Sequence, residues 1–591
     1  MFLKKTYQKS TGKTQLEIVQ GYRENGKPKH KVIKGLGYLE DYLDQYDDPV
    51  EHFKQVAKEM SQKDEAEKLE ILLSQRLPDQ CDNRKNLGYA FIKDVYARLH
   101  IREFFQARQK NLNIEFNLNS IFSLLVFNRF LFPSSKKNAF ETKDIFFENY
   151  KFSLDDVYHS LDHFYEYSEA LQKHLHEEVT ALVGRDTDLG YYDVTNYYFE
   201  IPYEDENEYD DDGRITKVGF KRRGPSKEHR KDPIVQMGLL MDKSGIPMAF
   251  NTFSGGESEK TTMLPAIARV KRDYGIDRVV VVADRGLNTS DNTTYLSGVN
   301  HDDMHGNDGY IYGQSIMGGT DEFKKWVLDQ AGYIDQEIED EDGETIIFRH
   351  KSRIVPKEVT LKDSKGNRRL KTNIYQKQMV YYSEKYAKKQ RADRDRAVQK
   401  ARDMIANPGR YTKATSYGAA GYINNISYEK STGVISDGRD LSINEEKIAY
   451  EQQFDGYYAI VTSEIRMDDH ELRDRYKGLW EIEENFRIIK GEFDARPIFV
   501  RTDEHIDAHF LICFTTLVIL RVMEKLTGEK HTVKSIRNAL CNYGCSYLDQ
   551  NYYLFDYRDE VICDFEKVFG FDLGKKFMSL KEIKSIVKYK K

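Results

Sequence analysis

A period-two alternation of apolar and polar residues opens the chain. Thr14–Tyr22 alternates, Glu24-Asn-Gly-Lys27 reads as a turn, and Lys31–Lys34 returns, predicting a small β unit over residues 1–48. From residue 49 the period becomes helical, through Val50–Leu77, Ala90–Leu99, Leu118–Phe132 and Tyr158–Val183. Residues 49–183 are therefore read as a helical region and a candidate DNA-binding region, although no helix-turn-helix pattern stands out. At residue 188 the texture changes. Asp188–Phe199 is rich in β-branched and aromatic residues, and Ile234–Met241 and Pro247–Phe253 flank a turn at Asp242–Ile246. A helix over Thr261–Tyr274, a short apolar strand at Arg278–Ala283 and a further strand near Gly309–Gln314 complete a mixed α/β sheet over 184–314. Residues 315–453 are polar and basic, with strands and a charged helix at Tyr381–Ile405, and read as an insertion. Strand texture resumes at Phe454–Thr462, so 454–530 forms a second part of the same core, and 531–591 a mixed helical tail.

The stretch Tyr476–Lys490 lies in that second part. Wound at about 100° per residue, it places Leu479, Ile482, Phe486 and Ile489 on one apolar arc. Tyr476, Trp480, Glu483, Arg487 and Lys490 fall on the adjoining arc, a carboxylate among cations, an indole and a phenol. An ordinary amphipathic helix with a Glu483–Arg487 pair has the same pattern. What sets it apart is a pair of aspartates elsewhere. Asp193 interrupts Tyr191–Thr195, and Asp284 ends the apolar run Val279–Ala283. A carboxylate in such a strand is costly unless paired, hydrogen-bonded or bound to a metal, while a turn residue before Arg285-Gly286 is the plainer reading of Asp284. Asp193 and Asp284 on neighbouring strands, joined by Glu483 from a packed helix, would make an all-oxygen site for Mg²⁺. Two such ions would suit phosphodiester cleavage.

Composition narrows the classes. Of 591 residues, 32% are charged and mean hydropathy is -0.69, and with 40 Tyr and 32 Phe the chain is too aromatic for disorder. The net charge of -7 argues against a uniformly basic surface but hides segregation. Residues 351–410 hold 18 Lys/Arg against 6 Asp/Glu, whereas 204–212 hold seven carboxylates in nine residues, read as a solvated loop. Five Cys without a disulfide framework fit a reducing cytosol, and the start of the chain lacks the apolar run of a signal peptide. The apolar window Phe510–Leu520 is too short to span a bilayer and reads as a buried helix, so no membrane partner is expected.

The combination of Asp193, Asp284 and Tyr476-x-x-Leu479-x3-Glu483-x6-Lys490 resembles the DDE transposases of insertion sequences, specifically the IS4-like superfamily and most closely its IS1634-type members. That family's signature is Y-x2-R-x3-E-x6-K, and here Leu479 stands at the Arg position; only Arg487 shares the face on which it could substitute. The resemblance runs from about residue 2 to 525, strongest in 188–199, 220–290 and 454–512. It implies an RNase H-like core interrupted by a large, mainly β insertion, with Asp193, Asp284 and Glu483 as catalytic residues and ligands of two Mg²⁺ or Mn²⁺ ions. It further implies cut-and-paste cleavage at element ends and strand transfer into target DNA, with hairpin ends as a further step in which Tyr476 and Lys490 grip phosphates. The expected partners are double-stranded DNA, as terminal inverted repeats and as target, and a second copy in a synaptic homodimer. The expected place is the bacterial cytoplasm, at the nucleoid.

Several other residues are candidates for DNA contact. Lys221, Arg222, Arg223, Lys227 and Arg230 crowd one stretch with His229, and the same stretch also reads as a solvated loop. Trp480 and Trp326 are large enough to stack on a displaced base or to pack internally. His505 and His509, four apart, and Cys541 and Cys545 are read as structural rather than metal-binding. The competing functional readings are a domesticated, inactive DNA-binding derivative, a two-metal RNase H-like nuclease that cleaves without joining, and a paired-acid glycosidase, which EDTA would spare.

Overall fold

The computed structural model describes residues 1–588 except 10, 25–26, 47, 65–73, 75, 80, 225–229, 298–307, 340–344, 363–368, 408–417, 427–434 and 436–440. The chain divides into two compact units, 1–82 with 547–553, and 83–546 with 554–591. In the first, β1 (Phe2–Gln8), β2 (Lys13–Glu24) and β3 (Lys27–Tyr38) form an antiparallel sheet in that order, followed by α1 (Pro49–Asp64). Leu16, Ile18 and Leu36 pack with Phe53 and Ala57 of α1. β2 and β3 are the hairpin the alternation predicts. β1 carries no such signal, because most of its residues are exposed. The centre of the predicted turn and residues 65–73 of the predicted Val50–Leu77 helix lie outside the described residues.

The second unit begins with helices. Among them are α2 (Leu118–Leu131), capped by Asn117, α3 (Leu154–Glu166) and α4 (Ser168–Val183). One long helix is predicted over Tyr158–Val183, but the chain breaks at Tyr167. A capping box of Ser153 and Asp156 starts α3 earlier. The break lets the two halves bury separate faces, Val157, Leu161 and Phe164 on one and Leu171, Leu175 and Val179 on the other.

Nine strands then form one mixed sheet. They are β4 (Leu189–Tyr198), β5 (Ile234–Asp242), β6 (Pro247–Ser254), β7 (Val280–Ala283), β8 (Gly309–Gln314), β9 (Ile334–Glu339), β10 (Thr345–Lys362), β11 (Arg369–Tyr382) and β12 (Tyr457–Thr462). Their order across the sheet is β9-β10-β11-β12-β8-β7-β4-β5-β6. β4, β7 and β8 are mutually parallel, and the remaining pairings are antiparallel. Each residue of β5 and of β7 is buried, as continuous apolar runs covered on both faces require. Helix α5 (Glu259–Tyr274) connects β6 to β7 and packs through Met263, Ala266, Ile267 and Val270 on Tyr192, Val194 and Val281.

The predicted insertion does not stand apart from this sheet. β12 pairs with β8 on one edge and with β11 on the other, so β9–β11 continue the sheet, and α6 (Glu384–Ala406) follows them. After β12 come α7 (Asp469–Lys477), α8 (Leu479–Arg487) and α9 (Asp503–Leu526). α9 contains the predicted Phe510–Leu520 window. By length and composition it is long and apolar enough to cross a membrane, but 89% of its apolar window is buried inside the fold. Phe510 packs on Tyr197 of β4 and Phe514 on Phe250 of β6, so the sheet holds α9 against the face opposite α5.

Candidate functional site

Strand register places the two aspartates on neighbouring strands. β7 runs beside β4 with Val280 opposite Leu189 and Val282 opposite Tyr191. Asp284 and Asp193 each lie two residues past the Val282–Tyr191 pair, the last of this ladder. On its other side β7 pairs Ala283 with Tyr312 of β8, one step before Asp284 and Gly313, and a Cβ on Gly313 would stand 3.4 Å from Arg285 Cβ. Tyr191, Asp193, Thr195 and Tyr197 share one face of β4 by alternation, while Tyr192 points to α5 and donates to Thr262 Oγ1 at 3.0 Å. The aspartates are not deeply buried charges, as the sequence argument assumed. Asp193 is half-buried and Asp284 exposed, because β7 ends there and the strand opens to solvent. Asp284 also fills the plainer role, accepting from Arg285 N at 2.6 Å to cap a short 3-10 turn.

The helix over these strands is not a uniform rod. α7 ends at Lys477, α8 starts at Leu479, and residues 488–492 form a π-helical turn. Between α7 and α8, Gly478 lies so close to β4 that a Cβ there would sit 2.0 Å from the Tyr191 hydroxyl. That hydroxyl donates to the carbonyl of Arg475 at 2.9 Å. Ile482, Phe486 and Ile489 of the apolar arc are buried, and Leu479 is half-buried.

The second arc is pinned at both ends to the sheet. Tyr476 is buried rather than presented to solvent. Its hydroxyl lies 3.3 Å from that of Tyr458 and 2.4 Å from where a Cβ on Gly313 would stand. Burial, then Tyr458, and to a smaller degree the charge of Asp284, raise its phenol well above the usual range. At the other end Lys490 donates to Thr195 Oγ1 at 2.7 Å and lies 5.3 Å from the Tyr197 ring centre. Glu483 lies between these anchors along the chain, on α8. Glu483, Trp480 and Arg487 are exposed, Trp480 by 52%. Among the described residues, no three His, Cys, Asp or Glu side chains are grouped closely enough to hold a metal ion. Asp193, Asp284 and Glu483 therefore do not form a closed ligand set in this conformation.

Residues not singled out from sequence fix this helix. The Glu481 carboxylate reaches 2.3 Å from the position of a Cβ on Gly245, in the β5–β6 turn. Burial pushes its pKa up to about 7, against the opposing pull of Arg521. Asn485 donates to Gly245 O at 3.0 Å and accepts from Arg521 Nε at 2.8 Å. Arg285, Gln314, Tyr386, Gln390 and Tyr458 line a cavity of about 110 Å³ directly after Asp284. Only the run of polar residues at i and i+4 on α8 hinted at this second anchor.

The basic stretch is placed differently from the prediction. Lys221 is buried, 2.9 Å from Asp205, and donates to the carbonyl of Arg501 at 2.7 Å. Arg222 and Arg223 lie 3.3 and 3.0 Å from Glu204. Arg230 sits 3.2 Å from Asp232 and 3.8 Å from the Tyr198 ring centre. Lys227 and His229 lie outside the described residues. The start of the acidic run, Glu204 and Asp205, thus clamps the start of the basic one, while residues 208–212 are exposed as a solvated loop would be. Trp326 is half-buried against Phe323, with Arg353 4.3 Å from its ring centre. His505 bonds Asp162 and His509 bonds the carbonyl of Ala495, both at 3.1 Å, so each histidine is engaged in the structure as expected.

Residues 3–71, within the first unit, match the family model described as IS1634 family transposase, N-terminal domain. No curated protein matches the chain. The match covers a part of the chain far from the acids, so it supports the family independently of the residues from which the resemblance was drawn. This match to an N-terminal domain supports an IS1634-type insertion-sequence transposase.

Proposed function

We propose that the transposase works by DDE chemistry, cutting DNA at the ends of its element and joining the freed ends to target DNA. The observation that carries this reading is that Asp193 and Asp284 lie on the neighbouring parallel strands β4 and β7 or just past their last pair, with a helix whose Tyr476 and Lys490 reach Gly313 and Thr195 of the same sheet. The strand order β6-β5-β4-β7-β8, with β4, β7 and β8 parallel, supports an RNase H-like core, and the resemblance to the IS4-like superfamily accords with it. Asp193 and Asp284 fit a hard divalent ion by donor chemistry, since Mg²⁺ uses one or two carboxylates and completes its shell with waters and phosphate oxygens. Glu483, across the opening, would be the third ligand. Bound Mg²⁺ or Mn²⁺, two ions in the resemblance, would supply charge for the attacking and leaving oxygens of phosphodiester cleavage.

The chain's own groups do the rest. Lys490, held by Thr195 beside Asp193, carries a positive charge toward a strand in the opening, and exposed Arg487 stands in for the Arg absent at Leu479. Tyr476 acts from beneath, setting the helix at its distance from Asp284. Trp480, half-exposed on the same arc, is placed to stack on an unpaired base if the ends pass through hairpins. Double-stranded DNA, as element ends and as target, is the substrate, and a homodimer would hold two ends together.

The test is a strand-transfer assay with the element's own ends in Mg²⁺. Glu483→Gln should bind the ends as the unaltered protein does, yet nick and join them more slowly by on the order of 10³-fold. Robust joining by this variant overturns the assignment. Cleavage without joining by the unaltered protein would favour the nuclease reading instead.

A further inference from the structure

A second polar cluster lies past Lys490, where the chain turns from the π-helical segment into α9. Arg129 and Lys136 are each 7% exposed there. Arg129 donates to the carbonyls of Phe493 at 2.9 Å, Asp494 at 3.3 Å and Ser134 at 3.0 Å. Three of its five N–H groups are thereby used, which leaves two. Lys136 meets His509 Nδ1 at 3.1 Å, while His509 Nε2 faces the carbonyl of Ala495 at 3.1 Å. The carbonyl accepts only from an Nε2–H, so Nδ1 is the acceptor and the imidazole is neutral.

No acid compensates the two cations among the described residues in contact with them. Asp494 lines the same space, but its side chain is exposed and it meets Arg129 through its backbone carbonyl. Tyr158 of α3 and Cys513 of α9 are the other titratable groups facing the cluster. Burial, together with the charge of Arg129, brings Lys136 down to about 7, and burial with both cations holds His509 well below its ordinary value. Two uncompensated buried cations are costly, and an entering anion removes that cost.

Beside them opens a cavity of about 60 Å³, walled by Pro497, Phe499 and Val500. At ~15 Å³ per water-sized probe, it has room for about four such bodies, the size of a phosphoryl group with its oxygens. We propose that this cavity binds a phosphate group through Arg129 and Lys136. Its wall runs on directly from the Lys490 turn, and Ile498 N donates to Tyr198 O at the end of β4 at 3.1 Å. A phosphate of a bound DNA strand is therefore the favoured source, and free orthophosphate the other. Only that choice of source rests on the transposase reading; the anion site does not.

Sulfate is a suitable probe because its charge is constant near neutral pH. Thermal unfolding of the full chain is followed against sulfate, with chloride at matched ionic strength as control. Sulfate should raise Tm beyond chloride in the unaltered protein, and Lys136→Met should abolish the difference. The effect should be larger at about pH 6 than at about pH 8.5, because Lys136 gives up its proton as pH rises through about 7. Binding of a duplex of the element end, without divalent metal, then separates the sources. A loss of about 3- to 10-fold in Lys136→Met, with a salt slope shallower by about one, assigns the site to a DNA phosphate. Unchanged DNA affinity assigns it to free phosphate. A sulfate response equal to that of chloride, or equal in the two proteins, overturns the proposal. Should Lys136→Met fail to fold, a sulfate response of equal size at both pH values overturns it.

Discussion

At Gly478 the chain between α7 and α8 comes close to the sheet, and a methyl group there meets the hydroxyl of a buried ring that is itself bonded to Arg475. Gly478→Ala should therefore destabilise the protein by about 1–3 kcal/mol, measured by urea unfolding, because neither neighbour can turn away. The same substitution lifts α8 from β4, so end joining should fall by more than stability accounts for. Glu481 gives a pH signature of its own. Its folded pKa of about 7 lies above the ordinary value of 4.5, so the folded state binds the extra proton between them. That contribution to stability is complete below about pH 4.5 and is lost as pH rises through about 7. Glu481→Gln should flatten the decline in Tm over that window; an unchanged slope would show that burial is not what holds the proton.

At the scale of elements, the acidic segment after β4 and the basic stretch before β5 form one electrostatic unit. Replacing Glu204 by Gln and Asp205 by Asn together releases Lys221, Arg222 and Arg223. DNA binding by that double variant should tighten and its salt dependence steepen by about one to two phosphate contacts. An unaltered slope would mean that the freed cations face away from DNA. Both runs are conspicuous as sequence, but nothing in either names the other as its partner. Helix breaks follow the same logic. The split at Tyr167 has no glycine or proline beside it and lets its two halves bury separate faces, whereas the π-turn at 488–492 carries Gly491.

For the whole molecule, the long sheet and α9 form the frame on which the acids are carried. Leu517 lies at the fully buried middle of α9. Leu517→Ala should cost about 2–5 kcal/mol and lower the unfolding transition of the second unit as a whole. Calorimetry would register this as a shift of one cooperative peak, whereas a new early shoulder would show that the helices unfold apart from the sheet.

Much of this architecture was legible in the chain itself. The strands from β4 to β8, α5, β12 and the buried α9 follow from hydrophobic period and turn chemistry, which act over a few residues and leave a local mark. Asp193 and Asp284 were legible as polar interruptions of apolar strands, and Glu483 through the family resemblance that its spacing from Tyr476 and Lys490 carries. Tertiary structure alone decided what depends on register and approach: the parallel pairing of β7 with β4 and β8, the burial of Tyr476, and the exposure of Asp284 at its strand end. It alone also joined β9–β11 to the core sheet through β12, and paired Glu204 and Asp205 with the basic stretch. Those contacts link residues far apart in sequence, and their free energy comes from the geometry of the assembled sheet and helices, which no short window of sequence contains.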